Sequence, residues 1–427
     1  MILFKNIRLI SPIQNLDRRT DILIVDGIIS KIEDNIIPEV NSESFDGSKW
    51  ICSVGLYDMH VHLREPGGTH KETIETGCSA ASNGGFTGVC CMPNTNPTID
   101  SVEVVHSIQF KSQNLPVDVH CSAAITKNRK GEELSNIGSL YESGVRLFTD
   151  DGDCLKSPEV MRRAFEYLSM FEGATLSQHC EENSMTKNSI MNEGFNSTKQ
   201  GYKGYPSVAE EIIVNRDIQI SSFCDNGRYH VQHLSTKGTV DIVRKAKASG
   251  VKNVTCEVTP HHFVLTDDAI ELYGSNAKMN PPLRLQSDID EVINGLIDGT
   301  IDVIATDHAP HSFQEKEQEI NQTPNGIIGL ETSLGLTLTY LVNKNHISVN
   351  KMIELMSINP RKIMGLKDIK IDVGEVANLS IFDPIENCIV DSKKFKTKSL
   401  NTPFNSFALS GKPICIINKS KIVWSEL

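Results

Sequence analysis

The sequence predicts an α/β protein in which a TIM-like (β/α)8 barrel is joined to a small β domain formed by both ends of the chain. Three observations predict this fold. Strand and helix patterns alternate through the middle of the chain, strand patterns alone fill both ends, and polar residues follow almost every strand of the middle. With 427 residues the chain is long enough for a barrel and a second domain. We therefore expect residues 54–367 to form the barrel and residues 1–53 with 368–427 to form the β domain.

The composition is that of a globular protein without a nucleic-acid or membrane role. Hydrophobic residues make up 39% of the chain and charged residues 22%. The net charge of −12, without a basic block, disfavours nucleic-acid binding because phosphate contacts need basic stripes. No apolar run approaches the roughly 20 residues needed to cross a bilayer, and no signal peptide opens the chain. The 11 cysteines form no clear metal-binding pair, and we expect reduced thiols in a cytoplasmic protein.

Both chain ends carry strand patterns. Residues 22–32 contain two apolar runs around Asp26 and Gly27, a pair typical of a type I′ hairpin turn. Near the C-terminus, residues 378–384 and 413–424 are further β segments. Two β clusters that flank a long middle section suggest one small domain built from both ends.

The middle section alternates between strands and helices, as expected for a parallel sheet. Helical patterns at 157–171, 207–223 and 236–248 are examples of the segments between strands. Eight such units fit a closed barrel. The eight predicted strands are 54–60, 86–92, 117–124, 145–149, 174–177, 229–234, 253–258 and 301–306.

The most informative motif follows the first of these strands. Apolar residues 51–57 lead into His60 and His62, and because strand side chains alternate, the two imidazoles point the same way. Two such imidazoles can chelate one metal ion, and imidazole suits zinc. Arg64 adds a guanidinium that can hold a carboxylate with two hydrogen bonds. By itself, a His-x-His motif is as typical of two partly exposed strand histidines as of a metal site. Together with Arg64, it suggests hydrolysis of a small anionic substrate.

Polar residues suited to metal binding or acid–base chemistry end seven of the eight predicted strands. In such a barrel the active site lies where strands end, so we expect these residues to share one rim. With 13 histidines in the chain, chance does not readily produce this distribution. In chain order they are His60, His62 and Arg64; Asn94; Asp150 and Asp151; His179; His230 and His233; His261 and His262; and Asp307, His308 and His311.

Six of these residues form a candidate two-metal site. Four histidines and two carboxylates can hold two divalent ions about 3.5–4 Å apart, which share a hydroxide and polarise a carbonyl. Asp151 could bridge the ions. Asp307 could bind one ion and act as the catalytic acid–base, carrying a proton between the hydroxide and a leaving nitrogen. The six candidate ligands are His60, His62, Asp151, His179, His233 and Asp307.

Other residues at the rim leave alternatives open. Asp150 could be the bridging carboxylate, or it could cap the following turn. His230 is a weaker candidate because strand alternation turns it away from the face of His233. His261 and His262 could face the rim or lie beneath it.

Three motifs resemble the signatures of dihydroorotases, a family of the amidohydrolase superfamily. They are HVHLREPG at 60–67, MPNTNP at 92–97 and ATDHAPH at 305–311, and the similarity extends over the whole chain. The resemblance implies reversible cyclisation of N-carbamoyl-L-aspartate to L-dihydroorotate in de novo pyrimidine (UMP) biosynthesis. It also implies Zn²⁺ at the six candidate ligands, two ions per chain, with a hydroxide between them attacking the ring amide.

The resemblance further implies which residues and partners bind. In the family, three positions hold the substrate carboxylate, a fourth contacts the ring, and a glycine-containing segment touches the substrate. Here these positions are Arg64, Asn94 and His311; Asn280; and Asn325 with Gly326. Relatives commonly carry Phe where Asn325 stands. The charged loop at 311–329 could be a lid, and we expect a homodimer that could associate with aspartate transcarbamoylase.

Two alternative functions are open. Hydantoinases and allantoinases share single motifs with this chain, but many such enzymes bridge their metals with a carboxylated lysine at the end of the fourth strand. Residues 145–151 contain no lysine, which resembles the bacterial dihydroorotases that use Asp and argues against both enzymes. The other alternative is a non-catalytic dihydroorotase-like partner of aspartate transcarbamoylase, which the presence of all six candidate ligands disfavours.

Overall fold

The computed structural model describes residues 1–38, 42–224 and 227–427. Its strands are β1 Ile2–Ser11, β2 Leu16–Val25, β3 Ile28–Glu33, β4 Glu43–Asp46, β5 Ile51–Val54, β6 Leu56–Val61, β7 Phe86–Cys91, β8 Asp118–Ala123, β9 Leu147–Phe148, β10 Thr175–Gln178, β11 Met191–Asn192, β12 Gly204–Tyr205, β13 Tyr229–Val231, β14 Val254–Val258, β15 Val303–Ile304, β16 Leu379–Ile389, β17 Ala408–Asn418 and β18 Lys421–Trp424.

The helices lie mainly between the barrel strands. They are α1 Ile74–Asn83, α2 Val102–Ser112, α3 Ile137–Glu142, α4 Pro158–Leu168, α5 Asn183–Thr186, α6 Phe195–Gln200, α7 Val208–Phe223, α8 Lys237–Ala248, α9 Pro260–Val264, α10 Ala269–Tyr273, α11 Gln286–Asp298, α12 Phe313–Lys316, α13 Ser333–Thr337, α14 Val349–Ile353 and α15 Asn359–Ile363. Short 3₁₀ helices lie at Pro12–Gln14, Lys127–Arg129, Gly274–Ala277 and Ser392–Lys394, and π-helical turns at Leu338–Val342 and Glu354–Ile358.

Eight strands form a barrel in the middle of the chain. Their order is β6-β7-β8-β9-β10-β13-β14-β15, so each strand lies beside the next barrel strand along the chain. The two ends of this order meet where Val61 pairs with His308, and the His62 N–H donates to the His308 carbonyl at 2.8 Å. Every predicted strand overlaps an observed one. The predicted (β/α)8 barrel is therefore confirmed.

A second sheet combines both chain ends. Its order is β18-β17-β16-β5-β1-β2-β3, with β4 beside β1. The predicted hairpin between β2 and β3 is confirmed, because Asp26 and Gly27 have φ angles of 50° and 79°, the left-handed conformations that a type I′ turn requires. The two ends of the chain thus pair with each other as the sequence predicts.

The chain passes from this sheet into the barrel at Gly55. The predicted strand 54–60 begins at Leu56 instead, because Val54 belongs to β5, which pairs with β1 and β16 of the terminal sheet. A Cβ added at Gly55 would lie 2.0 Å from Asn378 Oδ1 and 2.1 Å from Thr87 Oγ1. The two parts of the fold approach so closely here that a glycine is required.

The barrel strands are buried on both faces. Every residue of β6 and β7 is buried, as expected when helices cover the outside of a parallel sheet. Nowhere in the described chain is there a helix of the length and apolar character needed to pass through a membrane. The polar residues that follow these buried strands are therefore the candidate functional residues.

Replacing Gly55 with alanine is expected to destabilise the fold. The new methyl group would collide with Asn378 and Thr87, whose side chains share a hydrogen bond of 2.6 Å and cannot separate without losing it. Overpacking of this kind costs about 1–3 kcal/mol. Urea unfolding measures the loss, and Gly194→Ala is the control because the nearest atom to an added Cβ there is 3.6 Å away. An unchanged free energy of unfolding for Gly55→Ala would contradict the argument.

Candidate metal centre and active site

Six buried side chains converge at the carboxyl ends of the barrel strands. Three groups have donor atoms that all lie within 4.8 Å of one another. The groups are His60, His62 and Asp151; His60, His233 and Asp307; and Asp151, His179 and His233. Together they contain each of the six candidate ligands and nothing else among the described residues.

The two ring nitrogens of His60 have different surroundings. Nδ1 lies 2.5 Å from Glu257 Oε1 and donates to that carboxylate. Nε2 is buried without a hydrogen-bond partner in the described chain, and Asp151 Oδ1 and Asp307 Oδ1 lie 3.4 Å and 3.5 Å away. Burial lowers the pKa of His60, but the three carboxylates outweigh burial and raise that pKa well above 6.5. The space beside Nε2 therefore attracts a cation, whether a proton or a metal ion.

His62 is oriented by Asn94. Its Nδ1 lies 2.9 Å from Asn94 Oδ1, and its Nε2 lies 2.9 Å from Asp307 Oδ1. Because an amide oxygen only accepts, Nδ1 donates to Asn94, and Nε2 is the nitrogen that faces the cluster and would be the metal ligand. Asn94 thus supports a candidate ligand, a role that the sequence did not predict, and its NH₂ group is left for other partners.

Asp151 has a central position in the cluster. Its carboxylate oxygens lie 3.4 Å from His60 Nε2, 3.5 Å from His62 Nε2 and 3.9 Å from His233 Nε2. Asp150 turns away, and its Oδ1 accepts the Thr126 N–H at 3.0 Å. Of the two carboxylates left open by the sequence, Asp151 is the one that lies among the candidate ligands.

His179 and His233 form another part of the cluster. His179 Nδ1 lies 2.9 Å from His233 Nε2, and His179 Nε2 lies 3.0 Å from Glu181 Oε2. Because Glu181 accepts the Nε2 proton, the Nδ1 lone pair of His179 faces His233. Burial and the neighbouring His179 and His60 lower the pKa of His233 to about 3. A neutral imidazole is the form that binds metal.

Three site residues have left-handed backbone conformations. The φ angles are 57° at Arg64, 26° at His233 and 48° at Asp307, a region that residues other than glycine rarely adopt. Each residue follows the end of a barrel strand, namely β6, β13 and β15. Such strain is found where the surrounding structure maintains it at a functional site.

His230 lies outside the three metal-binding groups, but not for the reason that the sequence suggested. Strand β13 ends at Val231, so strand alternation does not extend to His233. His230 Nε2 instead lies 3.2 Å from Glu257 Oε2, the carboxylate that also accepts from His60. The two histidines therefore share one buried acceptor.

Two carboxylates that orient candidate ligands, Glu257 and Glu181, were not predicted from the sequence. Both are buried. Glu257 is the one charged residue of strand β14, where an unpaired charge would be costly, so its position was a usable signal. His261 and His262 lie in α9 outside the three groups, and His262 Nε2 lies 3.0 Å from the Pro281 carbonyl.

The predicted substrate-binding residues share a cavity with the candidate ligands. The cavity has a volume of about 210 Å³ and suits a small molecule. Five of the six candidate ligands line it, the exception being His60. The six predicted substrate-binding residues also line it: Arg64, Asn94, Asn280, His311, Asn325 and Gly326.

Positive charge collects around Arg64 and His311. Arg64 Nε donates to the Pro310 carbonyl at 3.1 Å, and its Nη2 lies 3.3 Å from His311 Nε2. Lys71 Nζ lies 3.4 Å from His311 Nδ1. Burial, together with neighbouring cations, lowers the pKa of His311 to about 2, and burial lowers the pKa of Arg64 to about 10. At neutral pH the imidazole is therefore neutral and the guanidinium charged, which favours an anionic ligand.

Comparisons with known proteins identify the family. A family model described as "Dihydro-orotase-like" matches residues 50–239. The chain is 45% identical over 426 residues to the dihydroorotase of Acetivibrio thermocellus and 44% identical over 425 residues to that of Geobacter sp. strain M21, covering 99% of each chain in both cases. Its fold is similar to that of an L-hydantoinase (dihydropyrimidinase) from Arthrobacter aurescens, with a TM-score of 0.85 and 23% identity over 100% of this chain and 96% of the other.

The match to these dihydroorotases places the barrel, with its histidines and aspartates gathered where the strands end, in the class of amidohydrolases. Within that class, the similarity over almost the entire length of the curated relatives is decisive. The chain belongs to the dihydroorotase family and is a cyclic amide hydrolase.

Asp151→Asn is expected to weaken metal binding by at least about tenfold, because it neutralises a carboxylate that lies within 3.9 Å of three candidate ligands. Asp150→Asn is the matched control, since that carboxylate binds Thr126 instead of the cluster. Elemental analysis gives the bound metal, and competition with a chromogenic chelator gives the zinc affinity. Equal affinities in the two variants would contradict the central position of Asp151.

Proposed function

We propose that the protein is a zinc-dependent dihydroorotase that interconverts N-carbamoyl-L-aspartate and L-dihydroorotate in de novo pyrimidine (UMP) biosynthesis. The observation that carries this proposal is the cavity in which candidate metal ligands lie beside the cationic Arg64 and the neutral His311. Such a cavity suits a small anionic cyclic amide. The curated relatives named dihydroorotase support the same substrate.

The residues present fit zinc. Imidazole and carboxylate groups are ordinary zinc ligands, and the buried, unpartnered Nε2 of His60 is an available donor. We infer two Zn²⁺ per chain, and Asp151 would contact both because it is the one carboxylate that belongs to two of the three donor groups. His60, His62 and Asp307 would hold one ion, and His179 and His233 the other. Bound zinc would polarise the amide carbonyl and activate water at neutral pH.

Asp307 is the proposed catalytic acid–base. It lines the cavity, and its Oδ1 lies 2.9 Å from His62 Nε2. Burial raises the pKa of its carboxyl group, but the surrounding histidines outweigh burial and lower the pKa below 3.8. The ionised carboxylate can accept the proton of the attacking water and pass it to the ring nitrogen as the C–N bond breaks. In the cyclisation direction the two transfers reverse.

Three groups are proposed to bind the substrate carboxylate. Arg64 supplies charge, the neutral His311 ring lies 3.3 Å from Arg64 Nη2 and would contact the same anion, and Asn94 supplies its NH₂ because His62 already occupies its oxygen. Asn280 would contact the ring: its Oδ1 is buried and has no partner within the described residues, so it can accept a ring N–H. Asn325 and Gly326 would complete the contact surface.

The alternatives have weaker support. A hydantoinase or allantoinase would share the barrel, and the likeness to hydantoinases shows the fold alone. The end of β9 carries no lysine for carboxylation, and a neutral hydantoin ring would not need Arg64 and His311. A non-catalytic partner protein would not need the full set of six candidate ligands.

The loop at 311–329 is proposed to act as a lid. Two buried lysines hold it in the present conformation: Lys316 Nζ donates to the Pro324 carbonyl at 2.9 Å, and Lys278 Nζ donates to the Thr323 carbonyl at 2.6 Å. From the family resemblance we also propose a cytoplasmic homodimer that can associate with aspartate transcarbamoylase. Light scattering of the protein, alone and mixed with that enzyme, tests the assembly.

Ring opening of L-dihydroorotate tests the proposed function. We expect turnover that a chelator abolishes and that added zinc restores. Hydantoin and allantoin serve as control substrates, and we expect little turnover of either. Turnover of a control substrate in preference to dihydroorotate would replace the proposal with the corresponding cyclic amidase.

Asp307→Asn is expected to lower kcat at least about 100-fold, because the amide cannot accept the proton that general acid–base catalysis requires. Circular dichroism should show an unchanged fold. Asp290→Asn is the control, since Asp290 is an exposed residue of α11. A kcat within a few-fold of the wild-type value would remove Asp307 as the proton carrier.

Arg64→Ala is expected to raise KM for dihydroorotate by roughly tenfold to 100-fold, as the loss of a hydrogen bond to a charged group predicts. Steady-state kinetics measure KM and kcat separately. Arg163→Ala, on the exposed face of α4, controls for a change in overall charge. If KM stayed the same, the carboxylate would have to bind elsewhere.

A further inference from the structure

We propose that Asn401 is a positioning residue that holds His311 and Gly326 in the geometry needed for binding the substrate carboxylate. It belongs to the segment between β16 and β17, in the terminal part of the chain, and its side chain is buried. No motif in the sequence points to it. The inference rests on the proposed function, because it concerns the same binding site.

The side chain of Asn401 joins two loops of the barrel rim that lie on either side of α12, residues 305–312 and 317–329. Its Oδ1 accepts the His311 backbone N–H at 3.0 Å. Its Nδ2 donates to the Ala309 carbonyl at 3.0 Å and to the Gly326 carbonyl at 3.1 Å. One donor and two acceptors on the backbone match a single orientation of the amide. Its own backbone carbonyl adds a fourth bond, from the Ile328 N–H at 3.0 Å.

The two joined loops carry predicted substrate contacts. His311 and Gly326 both line the cavity. The loops are close enough that a Cβ added at Gly326 would lie 2.6 Å from the Ala309 Cβ, and His311 Nε2 lies 2.9 Å from the Asn325 carbonyl. Separation of the loops would therefore move the His311 ring away from Arg64, its partner in binding the carboxylate.

The segment that carries Asn401 is itself attached firmly to the barrel. Two buried carboxylates accept its backbone N–H groups: Glu331 from Lys396 at 2.7 Å, and Glu72 from Lys398 at 3.2 Å. The Thr397 hydroxyl also donates to Glu72. Because the residues just before Asn401 are bound to the barrel, we infer that Asn401 holds the loops in place and does not follow their movement.

The experiment compares Asn401→Ala with Asn405→Ala, an exposed asparagine of the same segment. Kinetics of L-dihydroorotate ring opening give KM and kcat, and dihydrouracil, which lacks the carboxylate, serves as a competitive inhibitor. For Asn401→Ala we expect KM to rise roughly fivefold to 20-fold with kcat within about threefold of wild type. The inhibition constant of dihydrouracil and the zinc content should not change. Asn405→Ala should match the wild type in every measurement.

A general structural role would give a different result, namely lower stability with parallel effects on substrate and inhibitor. That result, or an unchanged KM, overturns the role of Asn401. The proposed function still stands in that case if the wild-type protein turns over dihydroorotate. If Asn401→Ala does not fold, Asn401→Asp is measured, since it keeps the size and the acceptor for His311 but loses both donated bonds; the same selective rise in KM is expected. Absence of dihydroorotate turnover and binding in the wild type would overturn the proposed function and the inference together.

Discussion

The active site depends on the closure of the barrel between its first and last strands. Asp58 on β6 accepts the His60 N–H at 3.1 Å and the Thr306 N–H at 3.2 Å, and it is completely buried between them. The bridge between Val61 and His308 continues this seam. Burial raises the pKa of Asp58 to about 7. Closure of the barrel places the motif at 60–67 beside the motif at 305–311, although the two are far apart in the chain.

A set of buried carboxylates then orients the histidines of the cluster. Glu257 accepts from His60, and Glu181 accepts from His179, so that in each ring one nitrogen is protonated and the other remains free for the cluster. The same carboxylates accumulate negative charge in a buried space, which is stable only when cations lie within it. This charge balance is the physical reason that the site suits metal ions, and the charged Arg64 adds a cation at the edge of the same cavity.

The terminal part of the chain contributes to the site as well as to the second sheet. Residues 396–402 leave that sheet and lie on the barrel rim, where Glu72 and Glu331 hold their backbone. Asn401 at the end of this contact joins the loops that carry His311 and Gly326. Three parts of the structure therefore position the residues of the cavity: the strand ends, the buried carboxylates that orient candidate ligands, and a segment from outside the barrel.

By itself the sequence determined the features that depend on local pattern. Alternating strands and helices predicted the barrel, the Asp26-Gly27 turn predicted its hairpin, and polar residues after apolar strands predicted the cluster, because strand ends are visible in a linear chain. Only the tertiary structure decided which of two nearby candidate residues lies in the site. Asp151 faces the cluster while Asp150 binds Thr126, and His233 enters through a left-handed backbone turn. These choices, like the contacts of Glu257 and Asn401, depend on partners distant in the chain, which no local pattern encodes.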